Sequence, residues 1–373
     1  MPCLGWVRVN GKKCMVRVLE LFAGIGACSK ALERLGIEHE IVDAVEIDKY
    51  AMASFNAIHG TNFAPQDIRE YNKDIKCDLI MHGSPCQDFS IAGRQAGGDE
   101  GSGTRSSLMY ETLRIVKKLQ PKIIIWENVK NILSQRHVHN WDVYANYLEH
   151  LGYTNYCNVL NAKDFGIPQN RERVFTISIK NYFSIEYNCD LAVDFRFPQP
   201  TELKTRLKDF LEQNVDEKYF ISDRQLEGMK NTHYNSYKLS TLLLSENDIV
   251  KCIKARFEGC PQLIPIKTNN KQGVELAKDG DGIDLSYPNS TTRRGRIGHE
   301  VAKTIPTTPT QGVIDGVRIR KLTPKEVWRL MGFDDIDFEK AAKVCSNTQL
   351  YKQAGNSIVV NVLEAILKEL YLK

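Results

Sequence analysis

A membrane-length hydrophobic run is missing from this sequence. No apolar stretch in its 373 residues approaches the roughly 18–20 that a transmembrane helix needs. The opening MPCLGWVRVNGKKCMVRVLELF is too short and too interrupted for a signal peptide. Met15 is a second candidate start, with residues 1–14 as a tag remnant or a natural extension. The ten cysteines, Cys3 to Cys345, form no CxxC pair, and no histidine spacing completes a ligand set, so no metal centre is expected. With no secretory signal, the thiols read as free in a reducing cytoplasm. Internal repeats and low-complexity tracts are absent as well. The net charge is only +4, which does not by itself point to nucleic acid. A local patch near Arg293 says more.

What remains is ordinary globular material, 42% apolar and 26% charged. The length has room for a large domain and a smaller one. Along the first half, strand-like and helix-like segments alternate. Val16–Phe22, His39–Asp48, Asp78–Met81, Lys122–Trp126 and Arg173–Ile179 read as strands. Gly26–Gly36, Lys49–His59, Ser106–Leu119 and Trp141–Leu151 read as helices. Such alternation predicts an α/β fold, a parallel sheet with helices on both faces and ligands at the carboxyl ends of its strands. After about residue 185 the pattern changes. Residues 201–320 are irregular and rich in Lys, Arg, Asn, Thr and Gly, as expected of a second, binding domain. Regular structure returns from Thr323, and Ser357–Leu372 reads as an amphipathic helix that packs back on the first domain.

Three segments carry chemistry. Glu20-Leu-Phe-Ala-Gly-Ile-Gly26 follows the first strand and opens the first helix, where glycines let backbone turn tightly against a ligand. The third glycine of a dinucleotide fingerprint is missing, which counts against NAD. Glu46 ends the second strand about 20 residues on, where an acid can bond a ribose hydroxyl. Together they favour an adenosine-bearing cofactor. Gly83-Ser-Pro-Cys-Gln-Asp-Phe-Ser90 presents Cys86 on a stiff loop at a strand end. A lone cysteine is usually inert core. Cys86 has company, however, in Trp126-Glu-Asn-Val129 and Gln169-Asn-Arg-Glu-Arg-Val174. A carboxyl at Glu127 can be partly buried and its pKa raised. In an extended segment Arg171 and Arg173 point to one side, with Glu172 opposite.

Taken in order, these segments resemble the cytosine-C5 DNA methyltransferase family over nearly the whole chain, from about residue 16 to 365. ELFAGIGA is similar to the first cofactor motif, with Glu20 and Ala27 where Asp and Gly are usual. GSPCQDFS resembles the nucleophile motif, with Ser84 in place of a frequent Pro. GTRSSL at 103–108, ENV, QNRERV, RKLTPKEVWRLMGF at 320–333 and QAGNSIVV at 353–360 match further motifs. The fold implied is a Rossmann-like S-adenosylmethionine-dependent methyltransferase core with a smaller target-recognition domain. The implied divisions are an extension at 1–15, a catalytic domain at 16–185, target recognition at 186–325 and a returning segment at 326–373.

The resemblance also implies roles. Cys86 adds to cytosine C6, so that C5 becomes enamine-like and takes the methyl group from S-adenosyl-L-methionine. Glu127 protonates or hydrogen-bonds N3, Arg173 binds O2, and Arg171 supports the thiolate or the base. The target base is flipped out of the duplex. Phe22, Ala23, Gly24, Ile25, Gly26, Ala27, Glu46, Ile47, Asp67 and Ile68 hold the cofactor's adenosine and amino-acid parts. Gly83, Pro85, Leu108, Asn356, Ser357 and Ile358 complete its site. Double-stranded DNA is the partner, through Gln87, Ser90, Arg293, Arg294, Arg296 and Thr304, the arginines lying in the basic stretch Thr291-Thr-Arg-Arg-Gly-Arg-Ile-Gly298. A cytoplasmic monomer is expected, either beside a cognate restriction endonuclease or as an orphan phage or prophage enzyme. The Cys-Phe-Thr tripeptide of the tRNA-methylating branch is absent. A catalytically silent DNA-binding scaffold is disfavoured because every catalytic position is filled.

Overall fold

The computed structural model describes residues 8–9, 12–13, 15–85, 105–181, 195–222, 264–269, 273–287, 290, 295–316 and 318–372. Three of the expected motifs, at 83–90, 103–108 and 291–298, fall partly outside them.

The larger sheet takes its strands from the first half: β1 (Val16–Leu21), β2 (His39–Val45), β3 (Leu79–His82), β4 (Ile123–Val129), β5 (Tyr153–Asn161) and, after the two-residue β6 (Gln169–Asn170), β7 (Glu172–Lys180). Their order is β2-β1-β3-β4-β7-β5. Strands β1 to β4 pair in parallel, whereas β7 runs antiparallel to both its neighbours. The all-parallel expectation thus fails at one strand. A strand reversed between two others leaves no mark in hydrophobic periodicity, because either direction buries the same alternating face.

That alternation decides what lies where. Leu79, Met81, Ile123 and Ile125 face α1 (Ala27–Arg34) and the last helix, while Ile80, Ile124 and Trp126 face α3 (Met109–Leu119) and α4 (Val138–His150). Continued along β4, the period of two turns Glu127 to the first face and Asn128 to the second. Helix α2 (Lys49–His59) has the bounds the sequence predicts. Asp48 caps it, accepting from Tyr50 N at 2.9 Å, and Gly60 ends it in the left-handed region at φ 67°. Helix α1 has no side-chain cap of its own. Glu20, reaching across from β1, accepts from Ser29 N at 3.0 Å instead. Burial pushes this carboxyl up to about 7, against the hydrogen bonds Ser29 donates.

A second sheet is built from β8 (Gly282–Asp284), β9 (Ile297–Gly298), β11 (Gln311–Asp315) and β12 (Arg318–Lys321), in the order β9-β8-β11-β12. Between β9 and β11, β10 (Ala302–Lys303) leaves this sheet to pair in parallel with β6. The chain then forms α5 (Pro324–Arg329), α6 (Asp335–Ala342), α7 (Asn347–Asn356) and α8 (Val360–Tyr371). Thr323 and Glu326 make a capping box at the start of α5, with Pro324 in the first turn. Helix α8 packs on α1, so the end of the chain does return to the first sheet, though the helix begins at Val360 and Ser357 belongs to the turn before it. Among the described residues, no helix is long and apolar enough to cross a membrane, and no group of side chains could hold a metal ion.

Candidate active site

The turn after β1 is shaped by its glycines. Phe22 has φ 52°, Gly24 has φ 55° and Gly26 has φ 80°. A β-carbon on Gly26 would stand 2.1 Å from His59 Nε2, so both conformation and space demand glycine there. Gly24 instead faces open space. Glu46, just past β2, ties the turn down. Its carboxylate accepts from Gly24 N at 3.0 Å and from Asp48 N at 2.8 Å. Burial raises its pKa, and these amides oppose the rise. Beside it Ile47 is 66% exposed, an apolar side chain left facing solvent at the rim of the turn. Phe22 is half-buried, and Ala23, Ile25 and Ala27 are buried, which leaves the last three only their backbone to offer a ligand. Asp67 forms an ion pair with Arg69, which lowers its pKa, and Ile68 is buried beneath it. Leu108 is half-buried at the start of α3.

The second cluster lies at the end of β4. Glu127 is 9% exposed and its carboxylate meets Arg173 Nε at 3.0 Å. In the β4–β7 register Glu127 lies opposite Phe175 and Arg173 opposite Val129, so the pair is diagonal on one face. Burial raises the Glu127 pKa, and the charges of Arg173 and then Arg171 pull against it. Both arginines therefore reach the same side, as the Arg-Glu-Arg alternation predicts, while Glu172 turns outward to Lys130. Gly83 lies between Glu127 and Ile358. A side chain there would begin 3.6 Å from Glu127 Oε2 and 3.5 Å from Ile358 Cδ1. Pro85 is half-buried next to it, Ser357 is buried, and Asn356 is exposed at the end of α7. Thus residues 83, 127, 173 and 358, more than 270 positions apart at the extremes, share one corner of the sheet.

Ser84 is tied down beneath this corner. Its hydroxyl accepts from Trp126 Nε1 at 2.9 Å and Asn128 Nδ2 at 3.5 Å. His82 stacks on Trp126 and bonds Tyr144 OH at 2.7 Å, and burial holds its pKa down at about 3, so the ring is neutral. Cys86, Gln87 and Ser90 lie outside the described residues, as do Arg293 and Arg294.

One arginine is placed differently from the sequence expectation. Arg296, expected on DNA, is 1% exposed. It donates to the carbonyls of Asp284 at 3.2 Å, Ser286 at 2.9 Å and Tyr287 at 2.7 Å. Its guanidinium holds the chain after β8 from within, which corrects its assignment as a surface contact. Arg171 is buried as well and donates to backbone carbonyls, while its charge also acts on Glu127. Thr304 is exposed, as a DNA contact requires, and its hydroxyl donates to Asn170 O at 2.8 Å. Gln169 opens the Gln169–Val174 motif, and the sequence assigns it no role. It is fully buried, donates to Leu330 O at 2.8 Å and accepts from Ile305 N at 3.0 Å. Only its position two residues before Arg171 hinted at this.

Comparison with known proteins matches these features to a group. The family model described as C-5 cytosine-specific DNA methylase matches residues 16–372. The type II methyltransferase M2.ScrFI of Lactococcus lactis subsp. cremoris is 33% identical, over 96% of this chain and 99% of its own. The orphan methyltransferase M.SPRI of Bacillus phage SPR is also 33% identical, over 95% and 97% respectively. In fold, the crystal structure of the S. pombe Dnmt2 methyltransferase is similar with a TM-score of 0.57 at 21% identity, covering 96% of this chain and 98% of that one.

Proposed function

The chain belongs to the C-5 cytosine-specific DNA methylase family, and from that premise we propose that it methylates C5 of a cytosine flipped out of a specific short duplex DNA sequence, through covalent attack by Cys86 on C6. The observation that carries the reading is the buried Glu127–Arg173 pair, 3.0 Å apart and adjoining Gly83 at the start of the Cys86 loop.

S-adenosylmethionine supplies the electrophilic methyl group. The residues around the first turn fit it. Gly24 leaves a bare cradle, Ile47 and Phe22 offer apolar surface for adenine, and the Glu46 oxygens keep lone pairs for a ribose hydroxyl. Asp67 takes the adenine amino group, and Asn356 and Ser357 hold the carboxylate end.

Cys86 forms a bond to C6, and the electron pair displaced from the 5,6 double bond moves towards N3 and C5. Glu127, whose pKa burial raises, donates to N3. Arg173 donates to the cytosine O2, so that negative charge does not build on the ring. C5, made nucleophilic in this way, would take the methyl group as the bond from that methyl to the sulfonium sulfur breaks, the electron pair staying on sulfur to leave a neutral thioether. A base removes the C5 proton, the double bond re-forms and Cys86 leaves as thiolate. Residues 16–185 and 326–373 form the catalytic part and 186–325 the recognition part, working as a monomer. The type II and orphan names of the relatives suggest two settings, with or without a cognate restriction endonuclease.

The test is transfer of a labelled methyl group from S-adenosylmethionine to unmethylated duplex DNA, followed by bisulfite sequencing. Methylcytosine at one recurring short sequence is expected. Transfer to tRNA alone, or to neither, overturns the reading.

A further inference from the structure

The guanidinium of Arg171 touches three stretches of chain that are far apart in sequence. Nη1 donates to Ile305 O at 3.2 Å, and Nη2 donates to Gly355 O at 3.1 Å and to Ser357 O at 2.8 Å. The residue is 4% exposed. Ile305 follows Thr304 on the recognition side. Gly355 and Ser357 end α7 on the cofactor side. Arg171 itself leads into β7 and Arg173.

Other contacts make the same junction tight. Gln169 grips Ile305 by its amide while Arg171 grips it by its carbonyl. Strand β10 runs beside β6, with Ala302 opposite Gln169 and Lys303 opposite Asn170. Gly355 packs so closely on the recognition segment that a β-carbon would stand 2.5 Å from the Pro306 carbonyl and from Thr307 N. Neither segment can shift far without moving the other. Close-packed, hydrogen-bonded junctions have discrete arrangements rather than a continuum.

We propose that Arg171 is a positioning residue that couples the two ligand sites, setting the cofactor-side turn 355–357 and the recognition-side segment 304–307 on one frame so that cofactor and DNA each tighten the other's binding. This rests on the function proposed above. The planar fork is what the role requires. Its donors are fixed in one plane and serve three carbonyls at once, whereas an ammonium carries the same charge on a flexible stem. Charge support for the thiolate or the base, by contrast, survives replacement by lysine.

The experiment measures the affinity of a duplex that the wild-type protein methylates, with and without saturating S-adenosylhomocysteine. The ratio of the two is the coupling factor, and linkage makes it equal for either ligand. The wild type should give about tenfold, within the usual range for coupled sites. Arg171→Lys should bring the ratio to about one to two, within the small residual expected when differential contacts are lost. Gly355→Ala keeps the arginine and pushes the two segments apart, and should also lower the ratio. It decides alone if the lysine variant does not fold. Mere loss of stability would weaken both affinities and lower the melting temperature while leaving the ratio intact, and that result overturns the inference. So does a wild-type ratio of one. A wild type that methylates no duplex defeats the functional reading instead, before the coupling is measured.

Discussion

In the larger sheet, Arg173 turns its guanidinium toward the Glu127 carboxylate at the corner where β4, β7 and Gly83 meet. In the smaller sheet the large buried arginines turn inward. Arg296 collects three backbone carbonyls, and Arg320 forms a two-pronged pair with Glu326, 2.9 Å at each contact, while also meeting Asp315. The larger sheet has broad apolar clusters on both faces, so its polar residues need not hold it together. Among the described residues, the smaller sheet and the neighbouring strand pair 264–267 and 274–277 share a cluster of seven buried hydrophobic residues, and buried guanidinium groups add hydrogen bonds to backbone and carboxylate there. The same residue type thus meets a buried carboxylate at the candidate site and holds backbone carbonyls elsewhere, as Arg171 and Arg296 do. Sequence context alone does not separate the two uses, because the partner of each guanidinium lies elsewhere in the chain.

That contrast can be broken or sharpened. The largest effect belongs to the proposed nucleophile. Cys86→Ser should abolish methyl transfer while the variant still shifts duplex DNA in a gel; normal turnover by this variant would remove the mechanism. Next, Glu127→Gln should slow transfer by about 10²–10⁴-fold, the usual contribution of a positioned acid, with cofactor affinity nearly unchanged. Because burial raises the Glu127 pKa, the wild-type rate should fall on the alkaline side as the carboxyl ionises. A glutamine variant that keeps that alkaline limb assigns it to another group. Arg173→Ala should likewise reduce the chemical rate more than it weakens S-adenosylmethionine binding. Equal losses in both would move the residue from the base to the cofactor.

His59, packed on Gly26 under the cofactor turn, sets a smaller effect. Burial lowers its pKa to about 4, from an ordinary value near 6.5. Above 6.5 neither state binds the proton. As the pH falls from 6.5 toward 4, the unfolded chain takes it up and the folded protein does not, so stability drops across that window by up to about 3 kcal/mol. Denaturation at several pH values, with His59→Gln as the reference, should show the wild type losing more. Parallel curves would mean the ring titrates freely. The smallest effect is at the smaller sheet. Arg296→Met should lower stability by about 1–3 kcal/mol, the range for buried carbonyls left without donors. It should weaken DNA binding through the loosened loop and leave cofactor affinity alone. Full stability with DNA binding lost would restore Arg296 as a direct contact.

Much of this was legible before any coordinates. The bounds of α2 follow from Asp48 and Gly60 at its ends. The turn at Gly24 and Gly26, and the shared side of Arg171 and Arg173, follow from local backbone rules. β5 escaped notice because its middle, Thr154 to Val159, is only half-buried or exposed and shows no apolar alternation. The reversed direction of β7 and the burial of Gln169 and Arg296 escaped for another reason. Each depends on what lies across the strand or loop, and that neighbour comes from a distant part of the chain.

The sequence by itself determined the ordered motifs, the α/β class and the identity of the acid and the arginine at the candidate site, because spacing along strands and turns is a local property of the backbone. Only the tertiary structure decided that Glu127 meets Arg173 diagonally across two strands and that Gly83 and Ile358 close the same corner. It also decided that Arg171 and Arg296 hold backbone rather than face solvent. A guanidinium carries five donors, and where they point is settled by which carbonyls folding brings within about 3 Å.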